Sequence, residues 1–249
     1  MHDETPSPFR LDGQHALVTG AGKGIGRACV EALVTAGAQV TAVARTQEDL
    51  DSLQRIYPGK VQPMVADVTE DSFLDAITKL ERLDILVNNV GTNKPQSFVD
   101  VERDALDTML DLNVRSAFLV AQAAARLMVR QGQGSIIHMG SQMGHVGASN
   151  RTVYCMTKHA VEGLTKAMAV ELAPLGIRVN SVAPTFIETP MTRPMFENPE
   201  FRADVLSRIP LGKIGQVEDV ANAVVYLASP ASAMVTGDSL KVDGGWTAV

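Results

Sequence analysis

Along the chain, short apolar runs rich in branched residues alternate with longer stretches whose apolar residues recur every three or four positions. The runs predict strands at residues 15–19, 39–44, 61–66, 84–88, 135–140, 177–183 and 239–243. The stretches predict helices at 24–37 (closed by Gly37), 47–56, 70–82, about 102–131, 154–175 and 217–228. The strands are almost continuously apolar, which suits a sheet covered on both faces. Strand–helix alternation then gives an α/β fold, a doubly wound parallel sheet with helices on both faces and right-handed crossovers. No linker or shift in composition divides residues 1–249, so the expectation is a single domain.

Two stretches depart from this rhythm. Residues 1–10 are polar and proline-containing, without an apolar core, and read as a flexible lead-in rather than a signal peptide. Residues 185–215 carry four prolines with Phe and Met between a strand and a helix, long for a connection. That segment is either a surface insertion or a substrate-binding loop, since it leaves the carboxyl end of a strand, where such sheets hold ligands. Within the helix near residue 154, Met156, Ala160, Leu164 and Met168 form a stripe expected to be buried.

Composition narrows the function. A formal charge of −6 gives no electrostatic case for nucleic acid or an anionic membrane, and no run approaches the roughly 18 apolar residues of a spanning helix. Two cysteines, Cys29 and Cys155, suggest reduced thiols and a cytoplasmic setting. Five histidines show no metal-ligand spacing, so no metal is expected.

The first strand-to-helix turn reads LVTGAGKGIGRA, with Gly20, Gly24 and Gly26 in a G-x-x-x-G-x-G spacing. Glycines there allow a tight turn and close backbone approach, and the helix N-terminus suits a pyrophosphate. Tyr154 and Lys158 fall four apart on one helix face. Taken alone, that pair reads equally well as a rim tyrosine with a lysine reaching to water.

The order of Thr19-Gly20-x-x-x-Gly24-x-Gly26, NNVG at 88–91, Asn113, Ser141 and Tyr154-x-x-x-Lys158 resembles the classical short-chain dehydrogenases/reductases over nearly the whole chain. The thirteen-residue step from Ser141 to Tyr154 fits as well. The resemblance implies one Rossmann-type domain using NAD or NADP, with Asn113, Ser141, Tyr154 and Lys158 catalytic. Tyr154 would be the general acid/base, its phenolate favoured by the Lys158 charge. Ser141 would hold the substrate oxygen, and Asn113 a water that links Lys158 to solvent. Gly20, Lys23, Gly24, Ile25, Gly26, Asp67, Val68, Asn89, Gly91, Tyr154, Lys158, Pro184, Ile187 and Thr189 would line the cofactor. Two positions depart from the pattern: Val90 replaces the usual alanine, and Thr185 the usual glycine after Pro184.

The second strand ends in VARTQ, without the carboxylate that commonly holds the ribose of NAD. Arg45, Thr46 and Lys23 could instead receive a 2′-phosphate, so NADP(H) is favoured and NAD(H) remains possible. Gln142, His145 and Thr185 are candidate substrate contacts, although Gln142 and His145 also read as plain loop residues. The leading expectation is interconversion of a small polar ketone and its secondary alcohol, of the sugar or polyol kind. Reduction of a 3-oxoacyl thioester on acyl carrier protein is the alternative, and a redox-sensing dinucleotide-binding protein the non-enzyme one. By resemblance, the small-residue helix near 112–131 and the Tyr154 helix pair in a homotetramer, with VDGGW at a second interface.

Overall fold

Seven parallel strands stand in the order β3-β2-β1-β4-β5-β6-β7. They are β1 (His15–Thr19), β2 (Gln39–Ala44), β3 (Val61–Val65), β4 (Ile85–Asn88), β5 (Gly134–Met139), β6 (Ile177–Pro184) and β7 (Ser239–Val242). The description comes from a computed structural model and covers residues 7–248. From β1 the chain winds one way through β2 and β3, then crosses to β4 on the other side of β1. This reversal opens a crevice at the carboxyl ends of β1 and β4.

Alternate strand residues face opposite layers, as the pleat requires. Val18 and Val40 join a core with Cys29 and Leu33 of α1 (Gly24–Ala36), Leu50 of α2 (Gln47–Ile56) and Val224 of α9 (Val217–Ala228). Leu17 and Leu86 face the other core, with Phe73 of α3 (Asp71–Thr78), Met128 of α5 (Ser116–Gln131) and Ala169 of α6 (Thr152–Leu172). This is the doubly wound α/β sheet expected from the apolar pattern.

Several elements differ in detail. The helix expected from 102 to 131 is interrupted: α4 (Arg103–Leu110) passes through a π-helical turn at Asp111–Arg115 before α5 begins. Such widened turns concentrate at functional sites, and this one holds Asn113. The helix expected to reach residue 82 stops at Thr78, where the Lys79 and Leu80 N–H groups turn back to Ala76 and Ile77.

In α6 the expected stripe is only partly inward: Met156 and Ala160 are exposed, while Leu164 and Met168 are half-buried and Met168 packs on the second core. The inward side carries Val153, Thr157, Lys158, Val161, Glu162, Thr165 and Ala169. Its polar groups find partners inside, so burial does not follow hydrophobicity there.

The stretch from 185 to 215 is not one loop. It folds α7 (Arg193–Phe196) and α8 (Pro199–Ser207), and the Asn198 side chain caps α8 by accepting from the Glu200 and Phe201 N–H groups. Phe186 packs on Phe196, Phe201 and Trp246 with ring centroids 5.7–6.4 Å apart. Phe186 therefore holds the segment to the C-terminal turn. Of the expected lead-in, residues 1–6 lie outside the described part. Pro8 accepts from the Ala231 N–H and Phe9 packs on Tyr226, so residues 7–10 are docked.

Candidate active site

The crevice begins with the turn after β1. Gly20 sits at φ +66°, and a Cβ there would meet the Asn89 amide at 2.9 Å. A Cβ on Gly26 would run into the Gly20 carbonyl oxygen, so α1 packs against the turn only with glycine at both places. Asn89 ties the turn to β4 by donating to the Thr19 carbonyl oxygen at 3.0 Å, while its own N–H reaches the Thr19 hydroxyl. Its role is to fix the turn's shape. Gly24, at the head of α1, faces Thr189 across the crevice, with 3.5 Å from a built Cβ to the threonine side chain. The structure thus brings the glycine turn and the segment after β6 together around one cleft. Lys23 and Ile25 lie in the same turn.

At the end of β2, Arg45 Nη1 stands 3.8 Å from Asp67 and Lys23 Nζ 3.5 Å from Asp49. Thr46 precedes α2 with its hydroxyl uncommitted as a cap. Two exposed cations, a threonine and a helix N-terminus therefore share one corner, a chemistry that fits a phosphate. Asp67 accepts from the Thr69 N–H and hydroxyl, which hold its carboxyl below the usual range. Val68 is buried.

The expected catalytic residues converge at the carboxyl ends of β4 and β5. Lys158 is buried and donates from Nζ to the Met139 carbonyl oxygen at 2.7 Å, lying 5.6 Å from the centre of the Tyr154 ring. A Cβ on Gly91 would come within 3.2 Å of Asn113 Oδ1 and 3.6 Å of Lys158 Nζ, which places all three together. Asn113 grips the chain after β4: its Oδ1 accepts from the Thr92 N–H at 2.7 Å and its amide donates to the Thr92 carbonyl oxygen and the Thr157 hydroxyl. Both of its amide N–H groups are thus committed, and its Oδ1 carries one of the two bonds it can accept. Ser141 follows β5, accepts from the Met143 N–H at 3.1 Å and donates to Gln142 Oε1 at 3.0 Å. Gln142 is buried against it.

Burial dominates the electrostatics of the tyrosine. Burial pushes the Tyr154 phenol up to about 12, while the Ser141 hydroxyl and the Arg151 charge favour the phenolate. Burial also brings Lys158 down to about 8, with Glu162 acting to raise it. Tyr154 is therefore held as a proton donor at neutral pH, the form that reduction of a carbonyl needs.

Pro184 and Thr185 close the cleft at the end of β6. Thr185 donates its N–H to the Val242 carbonyl oxygen, and its buried Oγ1 has no partner among the described residues. Ile187 turns its side chain into the core, so only its backbone can reach a cofactor. Thr189 shares hydrogen bonds with Thr192. His145 is not left free for substrate: its Nε2 lies 2.9 Å from the Ser239 hydroxyl and 3.8 Å from Glu162. Glu162 itself went unnoticed in the sequence. The one signal for it is its place a turn beyond Lys158 on the same face. DGGW forms a turn, with the Asp243 carboxylate accepting from the Gly245 and Thr247 N–H groups.

Residues 20–247 match the family model described as enoyl-(acyl carrier protein) reductase. The chain is 46% identical over 240 residues to L-xylulose reductase of Mus musculus, covering 96% of this chain and 98% of that one. It is 41% identical over 245 residues to a 3-oxoacyl-[acyl-carrier-protein] reductase of Thermotoga maritima, covering 95% and 99%. Among solved structures, a gluconate 5-dehydrogenase from Burkholderia cenocepacia in complex with NADP and tartrate superposes with a TM-score of 0.92 at 36% identity, covering 97% and 98%.

Proposed function

Because the chain belongs to the classical short-chain dehydrogenase/reductase family, we propose that it is an NADP-dependent oxidoreductase interconverting a small polar ketone and its secondary alcohol. The observation that carries this is the buried Ser141 and Lys158 with the half-buried Tyr154 ring beside Lys158, at the cleft that the glycine turn opens. The nicotinamide supplies or accepts the hydride. Tyr154 gives its phenolic proton to the carbonyl oxygen in reduction and takes it back in oxidation. Ser141 orients that oxygen, with its own hydroxyl aligned by Gln142. Lys158 holds the ribose side of the cleft and restores the proton on Tyr154. Gln142 and Thr185 add hydrogen-bonding groups suited to a sugar- or polyol-type substrate.

The 3-oxoacyl-thioester reading keeps a place because of the family model's description and the Thermotoga relative. Against it, the apolar Phe186 and Phe196 are packed on one another and do not line an acyl channel. The two readings separate by kcat/KM with NADPH on L-xylulose, other short polyhydroxy ketones, a keto sugar acid and a 3-oxoacyl thioester. A short polar ketone should lead; a thioester preference would reverse the assignment.

Cofactor choice follows from Arg45, Thr46 and Lys23, with NAD(H) as the weaker alternative. NADPH should exceed NADH in kcat/KM by at least about tenfold, and Arg45→Ala should remove most of that gap, since a charge-assisted bond to phosphate contributes about 1.5–3 kcal/mol. Better use of NADH by the wild type would contradict the phosphate corner.

Assembly as a homotetramer is supported by the outward faces of α5 and α6, where Phe118, Met156 and Val170 are exposed together with Ala160 and Gly163. A closed dihedral arrangement would cover these faces. Light scattering at micromolar concentration should give four times the chain mass, and a monomer would refute it. Among the described residues, no helix is long and apolar enough to cross a membrane. We place the protein in the cytoplasm, acting on a small-molecule substrate.

A further inference from the structure

Glu162 is a buried carboxylate with no part in the steps above. Its side chain is 6% exposed, and one oxygen accepts from the Ser181 hydroxyl at 2.7 Å. The other oxygen has no hydrogen-bond partner among the described residues. The turn that carries Ser141 lies directly on it. A Cβ on Gly140 would collide with Glu162 Oε1, and one on Gly144 would stand 3.0 Å from Glu162 Cγ and 3.1 Å from the Lys158 carbonyl oxygen. Glycine at both positions lets the backbone rest against the carboxylate. A buried carboxylate is costly, and packing alone would be served by an uncharged side chain of the same size. The charge therefore calls for a reason, and Lys158 stands one turn away on the same inward face.

We propose that Glu162 is a positioning residue for the reaction: its carboxylate keeps Lys158 an ammonium and seats the 140–144 turn so that Ser141 faces Tyr154. This rests on the assignment of Lys158 made above. Around the pair stand His145 from the turn, Ser181 from β6, Ser239 and Lys241 from β7, His138 from β5, and His159 and Lys166 from α6 itself. His138 is held neutral by burial, down to about 4. Burial also lowers His145, whose ring is neutral where Lys158 titrates. Among the described residues, Glu162 is thus the negative group positioned to oppose the burial of Lys158.

Glu162→Gln keeps the bond with Ser181 and removes only the charge. In this variant the alkaline limb of kcat/KM against pH should move about one unit lower, because Lys158 gives up its proton sooner. The pH at which NADPH affinity falls, read by cofactor fluorescence, should move with it. Glu162→Asp, which restores the charge, should return both limbs toward the wild type, and His145→Gln should leave them in place. Circular dichroism confirms that each variant is folded, and Glu162→Asp supplies the comparison should Glu162→Gln not fold. Lys158→Ala separates the two ideas: normal NADPH binding and turnover in that variant would overturn the assignment of Lys158. A crippled Lys158→Ala beside a Glu162→Gln profile that superposes on the wild type would overturn the role of Glu162 alone.

Discussion

Tyr154→Phe should lower kcat for ketone reduction by about 10²–10⁴-fold while the enzyme still binds NADPH with wild-type affinity. The substitution keeps the ring that packs beside Ala105, Met109 and Val153 and removes only the hydroxyl. Nothing in the fold then changes except the proton donor. The phenol is held protonated by burial, up to about 12, so it is in the donating form throughout the neutral range. Its Lys158 neighbour bonds the Met139 carbonyl oxygen, and Ser141 is an alcohol that can turn its O–H from Gln142 to the substrate oxygen but does not release the proton at neutral pH. No other described group replaces the acid. Turnover measured under saturating NADPH, with affinity read separately by fluorescence, checks this. Near-normal kcat would return the pair to ordinary packing.

Lys158→Met should abolish most turnover and weaken NADPH binding, yet leave the unfolding midpoint at pH 7 equal to or above that of the wild type. Burial lowers the Lys158 pKa from 10.5 to about 8. A base with a depressed folded pKa weakens the fold once it must be charged. Above about pH 10.5 the lysine is neutral folded and unfolded, and no cost arises. The cost grows as pH falls toward 8 and is full below it, on the order of a few kcal/mol. An apolar side chain of similar length removes this cost, against roughly 1 kcal/mol for the lost bond to the Met139 carbonyl oxygen. The advantage of the variant should shrink as pH rises through 8 to 10. A midpoint at pH 7 well below the wild type would show that the ammonium stabilises the fold rather than serving the site.

The parts of this architecture that were legible in the sequence are those set by local rules. The strands are buried on both faces, so β1, β2 and β4 read as apolar runs. The glycine turn was legible because only glycine fits at Gly20 and Gly26, and Tyr154 with Lys158 because helical spacing puts them side by side. What depended on distant partners was not legible. The π turn at Asp111–Arg115 is held in a setting where Asn113 bonds Thr92 and Thr157, neither of them near in sequence. The polar inward face of α6 is stabilised by Met139, Ser181 and the turn after β5, so Met156 and Ala160 at the head of its apolar stripe lie outside. The loop position of His145 is visible in the sequence, whereas its bond to Ser239 on the last strand is not. Thr185, by contrast, is visible in the sequence as a departure from glycine, and its hydroxyl is buried without a partner among the described residues.

The central claim is that the cleft transfers hydride between a nicotinamide and the carbonyl carbon of a small polar ketone, with Tyr154 supplying the proton. It is tested most directly with NADPH carrying deuterium at both C4 positions of the nicotinamide, so that hydride from either face is labelled, and a short polyhydroxy ketone such as L-xylulose as the acceptor. Mass spectrometry and proton NMR of the product read where the label arrives. The account predicts one deuterium on the new carbinol carbon with the wild type, and almost none with Tyr154→Phe over the same time. An unlabelled product, or unreacted L-xylulose and other short polar ketones beside a labelled 3-hydroxyacyl thioester, would contradict it.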